Sequence, residues 1–202
     1  MLTSAPKTLA FIRHGESELN RDNDRFCGDL DPDISLLGRE QAARAGEVLS
    51  RIFPQIDAAW TSPRKRARQT AELIRPAVEW EVMDDLRETS FGAWEGLTKE
   101  EARKLTPEHY AAWEQDPYLH GPPGGESGLQ TTARIEGILD AVARFPARTI
   151  VVVSHKTFLR FLVGTVIGIP LHEVRTRLDV QTGRIGILEL SGQRGKLMGL
   201  NL

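Results

Sequence analysis

The stretch Leu9–Asn20, LAFIRHGESELN, sets the architecture of this chain. An apolar run from Leu9 to Ile12 stops abruptly at Arg13-His14-Gly15. A short run with no polar side reads as a strand buried on both faces, as in a parallel sheet. Its C-terminal edge then carries a basic pair, where open α/β sheets hold their ligands. Arg13 offers a planar fork of N–H donors suited to phosphate or carboxylate. His14 offers an imidazole that titrates near neutrality, fit for a nucleophile or a proton carrier. Gly15 lets the backbone turn sharply and approach a ligand closely.

Outward from that stretch, strand and helix alternate. Thr8–Arg13, Asp57–Thr61, Val78–Val82 and Thr149–Ser154 read as strands, the last almost wholly apolar. Ser35 is a helix N-cap. After it Leu37, Ala42, Ala45, Val48, Leu49 and Ile52 form an apolar stripe that runs up to Pro54. Ser62-Pro63 opens a helix carrying RKRARQTAELIR. Thr98 and Glu101 form a capping box for a helix through Leu105, and Pro107 starts another. Ser127 opens a helix to about Phe145, and Thr157–Ile167 is an apolar helix. Strands Arg177–Val180 and Arg184–Leu190 pair around Gly183, with an edge strand in Lys196–Leu202. Arg21–Asp33 and the Pro/Gly-rich Asp116–Glu126 are loops. The alternation predicts an α/β fold with a largely parallel sheet. Arg13-His14 and Ser154-His155 both fall at strand ends.

A chain of 202 residues, 40% hydrophobic, can bury the core of one domain, here taken as 1–202. A formal net charge of −2 argues against a nucleic-acid or membrane-surface role. Cys27 is the one cysteine, which excludes a disulfide framework. No apolar run approaches the roughly 18 residues of a membrane span, and MLTSAPKTLAFIR lacks a signal-peptide core. A soluble, cytoplasmic protein is the expectation.

Taken together, these blocks resemble the histidine phosphatase family, which includes the cofactor-dependent phosphoglycerate mutases. Arg13-His14-Gly15-Glu16-Ser17 with Asn20 is similar to the signature of the nucleophilic histidine. Arg25-Phe26-Cys27-Gly28, Asp31, Ile34-Ser35 and Gly38 resemble the next loop. Ser62-Pro63, Arg66-Ala67 and Gln69-Thr70-Ala71 resemble the block with the second phosphate-binding arginine, which makes it Arg66. Leu86-Arg87-Glu88, Phe91-Gly92 and Trp94-Glu95-Gly96 resemble the proton-donor block, hence Glu88. Val153-Ser154-His155 resembles the second histidine. The resemblance implies a three-layer α/β/α sandwich of the phosphoglycerate mutase-like kind. It also implies a metal-independent phosphomonoesterase with no cofactor, working through a phosphohistidine on His14 with Glu88 as proton donor. The catalytic set is His14, Glu88, Arg13, Arg66 and His155. Phosphate or substrate contacts are expected from Arg13, Gly15, Asn20, Cys27, Gly28, Arg66, His155 and Lys156.

The residue types suit the chemistry. A phosphate monoester carries close to two negative charges near neutrality. Two arginines can grip its oxygens in bidentate fashion. Asn20 and N–H groups near Gly15 can add neutral donors, and His155 a further, preferably positive one. His14 must be neutral on its attacking nitrogen, with the other N–H held by an acceptor. Among the basic run 64–68, Lys65 and Arg68 read as solvated helix face. Trp60, Trp80, Trp94 and Trp113 read as packing residues, His109, His120 and His172 as surface or loop residues, and Cys27 as a bystander.

Other chemistries fit poorly. Asp31-Pro32-Asp33-Ile34-Ser35 mimics an aspartate-nucleophile box without the hydrophobic strand it needs. Asp29, Asp31, Asp33 and Glu40 mimic calcium-loop spacing, but Ile34 stands where that loop needs glycine. Six residues after Cys27 stands Asp33, not the arginine of a cysteine phosphatase. Within the family, a mutase would need an extra basic segment, yet Leu105–Gly128 contains no lysine or arginine. Pro122-Pro123-Gly124-Gly125-Glu126-Ser127 resembles the loop of the shorter phosphatases. Hydrolysis is therefore favoured over mutase-type transfer, and the presence of all five proposed catalytic positions argues against a non-catalytic phospho-ligand or protein-binding module. Lys156 stands where most relatives have glycine; it either covers the pocket rim or meets a second anionic group. The expected partner is a small-molecule phosphate ester, with no nucleic acid and no membrane, and with a homodimer left open.

Overall fold

In the computed structural model, which describes residues 6–21 and 25–202, β1 (Lys7–Arg13) lies inside a six-stranded sheet. The strand order is β3-β2-β4-β1-β5-β6, with β2 spanning Ala58–Thr61, β3 Trp80–Val82, β4 Thr149–Ser154, β5 Ile185–Ser191 and β6 Arg194–Gly199. β1, β2, β3 and β4 are mutually parallel, while β5 pairs antiparallel with both β1 and β6. The sheet is thus largely parallel with an antiparallel margin.

Alternation along β1 and β4 divides the core. Leu9 and Phe11 join Ile150 and Val152 in one cluster, and Ala10 and Ile12 join Val151 and Val153 in the other. The first cluster is covered by α6 (Gly128–Arg144) and α7 (Lys156–Ile167), through Ile135, Leu139, Phe158 and Leu162. The second is covered by α2 (Leu36–Ile52) and α3 (Lys65–Ile74), through Ala45, Leu49, Ala67 and Ala71. That is the three-layer arrangement, and it explains why neither strand has a polar face. Capping follows the sequence: Ser35, Thr98 and Ser127 each accept a main-chain N–H, with full capping boxes at the last two.

A third, smaller cluster stands beside the sheet. It is aromatic: Phe26, Phe91, Trp94, Tyr110 and Trp113, with Ala102. Two short helices, α4 (Lys99–Leu105) and α5 (Pro107–Gln115), carry part of it. Trp94 sits at its centre, 5.4 Å from Phe26, 5.4 Å from Tyr110 and 5.2 Å from Trp113 between ring centroids.

Several expectations need correction. Arg177–Val180 is not a strand. Its first residue ends the helix α8 (Val174–Arg177), and the carbonyls of Leu178 and Val180 accept from the side chains of Arg160 and Arg13 instead of a neighbouring strand. β3 begins at Trp80 rather than Val78. α3 begins at Lys65 with Arg64 as its cap, so Pro63 precedes the helix. Leu37 and Ile52 are exposed; Gly38 takes a buried place on α2 instead. Residues 18–21 form a single helical turn, α1 (Glu18–Arg21), whose last residue is the first of the stretch read as loop.

Candidate active site

Three adjacent parallel strands, β1, β4 and β2, deliver the site at their carboxyl ends. Arg13 pairs with Ser154 across β1 and β4, and Thr61 with Val153 across β2 and β4. The ladder runs one residue further, because His14 N–H donates to Ser154 O (2.9 Å) and Ser62 N–H to Val153 O (3.0 Å). His14 and Ser62 are therefore held on either side of the end of β4, which His155 follows, by main-chain hydrogen bonds. The rings of His14 and His155 lie 5.1 Å apart between centroids.

His14 is 4% exposed. Its Nδ1 is 2.7 Å from the Gly15 carbonyl oxygen, which can only accept, so the proton sits on Nδ1 and the lone pair on Nε2. Burial, then the charges of Arg66 and Arg13, hold its pKa well below the usual histidine range, against a smaller opposing effect of the Gly15 carbonyl. The ring is neutral with its outer nitrogen open to attack. Gly15 cannot carry a side chain, since a Cβ would lie 2.3 Å from Gly38 O. Its N–H donates to Thr70 Oγ1 (3.0 Å), which itself donates to Arg66 O (2.7 Å). That N–H is thus committed to the helix behind the site, which alters the role foreseen for it.

Arg66 is 1% exposed. It donates from Nη1 to Leu30 O (2.7 Å) and from Nη2 to Cys27 O (3.0 Å) and Gly28 O (3.2 Å). Its Nε is buried with no hydrogen-bond partner among the described residues. The loop that receives Arg66 is shaped by Glu95. That carboxylate accepts from the N–H groups of Gly28 (3.1 Å), Asp29 (2.9 Å), Leu30 (3.3 Å) and Phe91 (2.9 Å). Gathering those N–H groups on one side turns the carbonyls of the same loop toward Arg66. Gly28 leaves no space for a side chain, with a Cβ only 2.2 Å from Thr89 O.

Glu88 is 5% exposed, and both its oxygens are fixed by main chain. Oε1 accepts from Thr89 N–H (3.0 Å) and Phe158 N–H (3.0 Å), and Oε2 from Thr157 N–H (3.1 Å). Two of these donors belong to the first turn of α7, whose N–H groups have no partner within the helix. Oε2 keeps one free lone-pair direction, the place where a proton can be carried. Glu126 braces the same segment by accepting from Ser90 N–H (3.0 Å) and pairing with Arg87 (3.2 Å) and Arg134 (2.9 Å).

His155 is fully buried, with Nε2 2.8 Å from Ser62 Oγ and Nδ1 without a partner among the described residues. Burial, then Arg66, push its pKa well below the usual range, with His14, Arg64 and Arg13 adding to the effect. Burial thus disfavours the positive form preferred for it from the sequence. Arg13 Nη1 donates to Val180 O (2.9 Å) and the residue is 9% exposed. The Cys27 thiol is pushed up to about 11, chiefly by burial, which keeps it an unreactive thiol. The side chain of Asn20 lies outside the described residues.

Arg13, His14, Arg66, Glu88, Cys27 and Lys156 line one cavity of about 430 Å³. Sequence reasoning missed Ser62, Thr70 and Glu95 as supports, although all three lie inside quoted motifs. Trp113 is a packing residue and His172 a surface residue, as read from the sequence, and both also line this cavity.

A neutral, oriented histidine beside two arginines, with a main-chain-held carboxylate in the same cavity, is a set of groups suited to phosphoryl transfer. The chain belongs to the histidine phosphatase superfamily (branch 1), whose model matches residues 9–202. It is 32% identical over 197 residues to Phosphoserine phosphatase 1 of Hydrogenobacter thermophilus, covering 96% of this chain and 92% of that one. It is 35% identical over 186 residues to the 2,3-bisphosphoglycerate-dependent phosphoglycerate mutase of Chelativorans sp. (strain BNC1), covering 87% and 88%. The solved alpha-ribazole phosphatase from Shigella flexneri superimposes with a TM-score of 0.86 at 26% identity, covering 96% of each chain. Family membership together with the phosphatase-named relatives supports a hydrolase of phosphoric monoesters. No helix among the described residues is long and apolar enough to cross a membrane.

Proposed function

We propose that this chain hydrolyses the phosphate ester of a small metabolite in two steps, through a phosphohistidine on His14 and without a metal ion. The observation that carries the reading is the 2.7 Å contact from His14 Nδ1 to Gly15 O, which leaves Nε2 as the nucleophile beside Arg66 and Arg13. In the first step Nε2 attacks phosphorus, the ester P–O bond breaks, and the leaving oxygen takes a proton from Glu88 Oε2. In the second, water attacks phosphorus, the P–N bond breaks, and Glu88 takes the water proton. Arg13 and the Arg66 Nε–H balance the phosphoryl charge, and His155 Nδ1 adds a donor from the other side. Positive charge that a metal ion would bring is already in the wall.

The test is turnover of a generic aryl phosphate with and without EDTA, followed by a panel of metabolite esters. Chelation is expected to leave the rate unchanged; a rate that vanishes contradicts the metal-free reading. Similarity to a phosphoglycerate mutase gives the panel a second use. Release of phosphate from 3-phosphoglycerate supports hydrolysis, and isomerisation stimulated by the bisphosphate would replace it with transfer.

A further inference from the structure

The cavity extends well beyond the phosphoryl site. Its outer wall is lined by Lys156 and Arg160 of α7, by Arg175 of α8, and by Trp113 of α5. Lys156 and Arg160 are one turn apart, hence on one face of α7. Arg160 is largely buried at 15% side-chain exposure, with Nε donating to Leu178 O (2.8 Å) and Nη2 3.8 Å from Asp179. Arg175 is half-buried, and its guanidinium carbon lies 3.8 Å from the centroid of the Trp113 ring. It has no hydrogen bond or ion pair with any described residue. A guanidinium stacked on indole is fixed in its plane, which leaves its N–H edge directed sideways for an incoming acceptor.

Burying cations together is unfavourable unless something answers them. Burial lowers the pKa of Arg175 most; Tyr110 opposes that shift, the positive charge of Arg160 adds to it, and Glu114 opposes it least. Glu126, on the same wall, is already engaged by Arg87 and Arg134. The Leu105–Gly128 segment carries no cation, yet it supplies Trp113, the platform on which a cation from a distant part of the chain rests.

We infer that Arg175 on Trp113, with Arg160 and Lys156, forms a second anion subsite, so that the substrate is a phosphomonoester whose alcohol carries a carboxylate or a second phosphate. The inference rests on the phosphatase reading for the reaction but not for the binding. A carboxylate meets the Arg175 fork through two parallel hydrogen bonds, and a phosphate presents the same edge.

Three alkyl phosphates of equal chain length, ending in carboxylate, in phosphate or in the neutral carboxamide, test it. Calorimetry on His14→Ala, which binds without turnover, gives Kd for each; steady-state assays on the wild type give kcat/KM. At least one anionic ester is expected to bind about tenfold or more tighter than the amide, the worth of one charge-assisted hydrogen bond. Whichever anionic ester binds tighter identifies the tail. In His14→Ala/Arg175→Met that ratio is expected to fall close to unity. Arg160→Gln in the same background serves as the second variant should Arg175→Met fail to fold, and it is expected to lower the ratio several-fold. Equal affinities for all three esters, or a ratio untouched by these substitutions, overturns the subsite. Absence of turnover on every ester, including an aryl phosphate, overturns the phosphatase reading while the Kd ratio still decides the subsite.

Discussion

At the inner end of the cavity His14, Arg66 and Glu88 are each no more than 5% exposed. Their positions are set by main-chain atoms: the Gly15 carbonyl, the 27–30 carbonyls, and the first N–H groups of α7. At the outer end the contact is between side chains, with Arg175 lying on Trp113. The two ends also rest on different supports. The inner end stands on the carboxyl edge of the parallel sheet, the outer end on the aromatic cluster and short helices beside it. Chemistry that must be held to fractions of an ångström sits on the rigid support. Substrate selection sits on elements whose side chains can change while the strands stay as they are.

This contrast can be broken most forcefully at the inner end. His14→Ala is expected to lower kcat on an aryl phosphate by about 10⁴-fold or more, since no other group can accept the phosphoryl. Steady-state kinetics check it, and a modest loss would place the nucleophile elsewhere. Glu88→Gln should follow, with kcat on alkyl esters down about 10²- to 10⁴-fold. The loss should be far smaller on p-nitrophenyl phosphate, whose leaving group departs without a proton. Equal losses on both esters would assign Glu88 a purely structural part.

A smaller effect is expected one step back from the chemistry. Glu95→Gln replaces an acceptor of four main-chain N–H groups by an amide that faces some of them with its own N–H. The 28–30 loop then loosens around Arg66, and inhibition by inorganic phosphate should weaken about tenfold. Circular dichroism should be unchanged, and Glu95→Asp should recover part of the affinity. Loss of fold with no change in phosphate affinity would remove Glu95 from the site.

The smallest effect is on stability. His14 and His155 both have their pKa lowered from 6.5 by burial first and Arg66 next. Above pH 6.5 neither state binds these protons. Below it the unfolded chain takes them up and the folded chain does not, so stability falls as pH drops from 6.5 toward the lowered values. Urea midpoints at descending pH should show this loss, and His14→Asn should reduce it.

The contrast also marks what could be read from sequence. β1 and β4 were legible because strands buried on both faces show as apolar runs, and their ends locate Arg13, His14 and His155. Arg66 and Glu88 were legible through motif blocks, and both lie in the cavity. Pairing of Arg175 with Trp113 was not, because α8 meets α5 across 62 positions with no local periodicity to announce it. Arg177–Val180 looked like a strand for a related reason. Alternation was present, but whether carbonyls go to a ladder or to arginine side chains is settled only by tertiary neighbours.

The most direct test of the central claim is to quench turnover of a phosphorus-labelled ester and look for label on the protein. The two-step account predicts a phosphoenzyme stable in base and labile in acid, mapped to His14 and absent from His14→Ala. Label on another residue, or full turnover by His14→Ala with no phosphoenzyme, would contradict it.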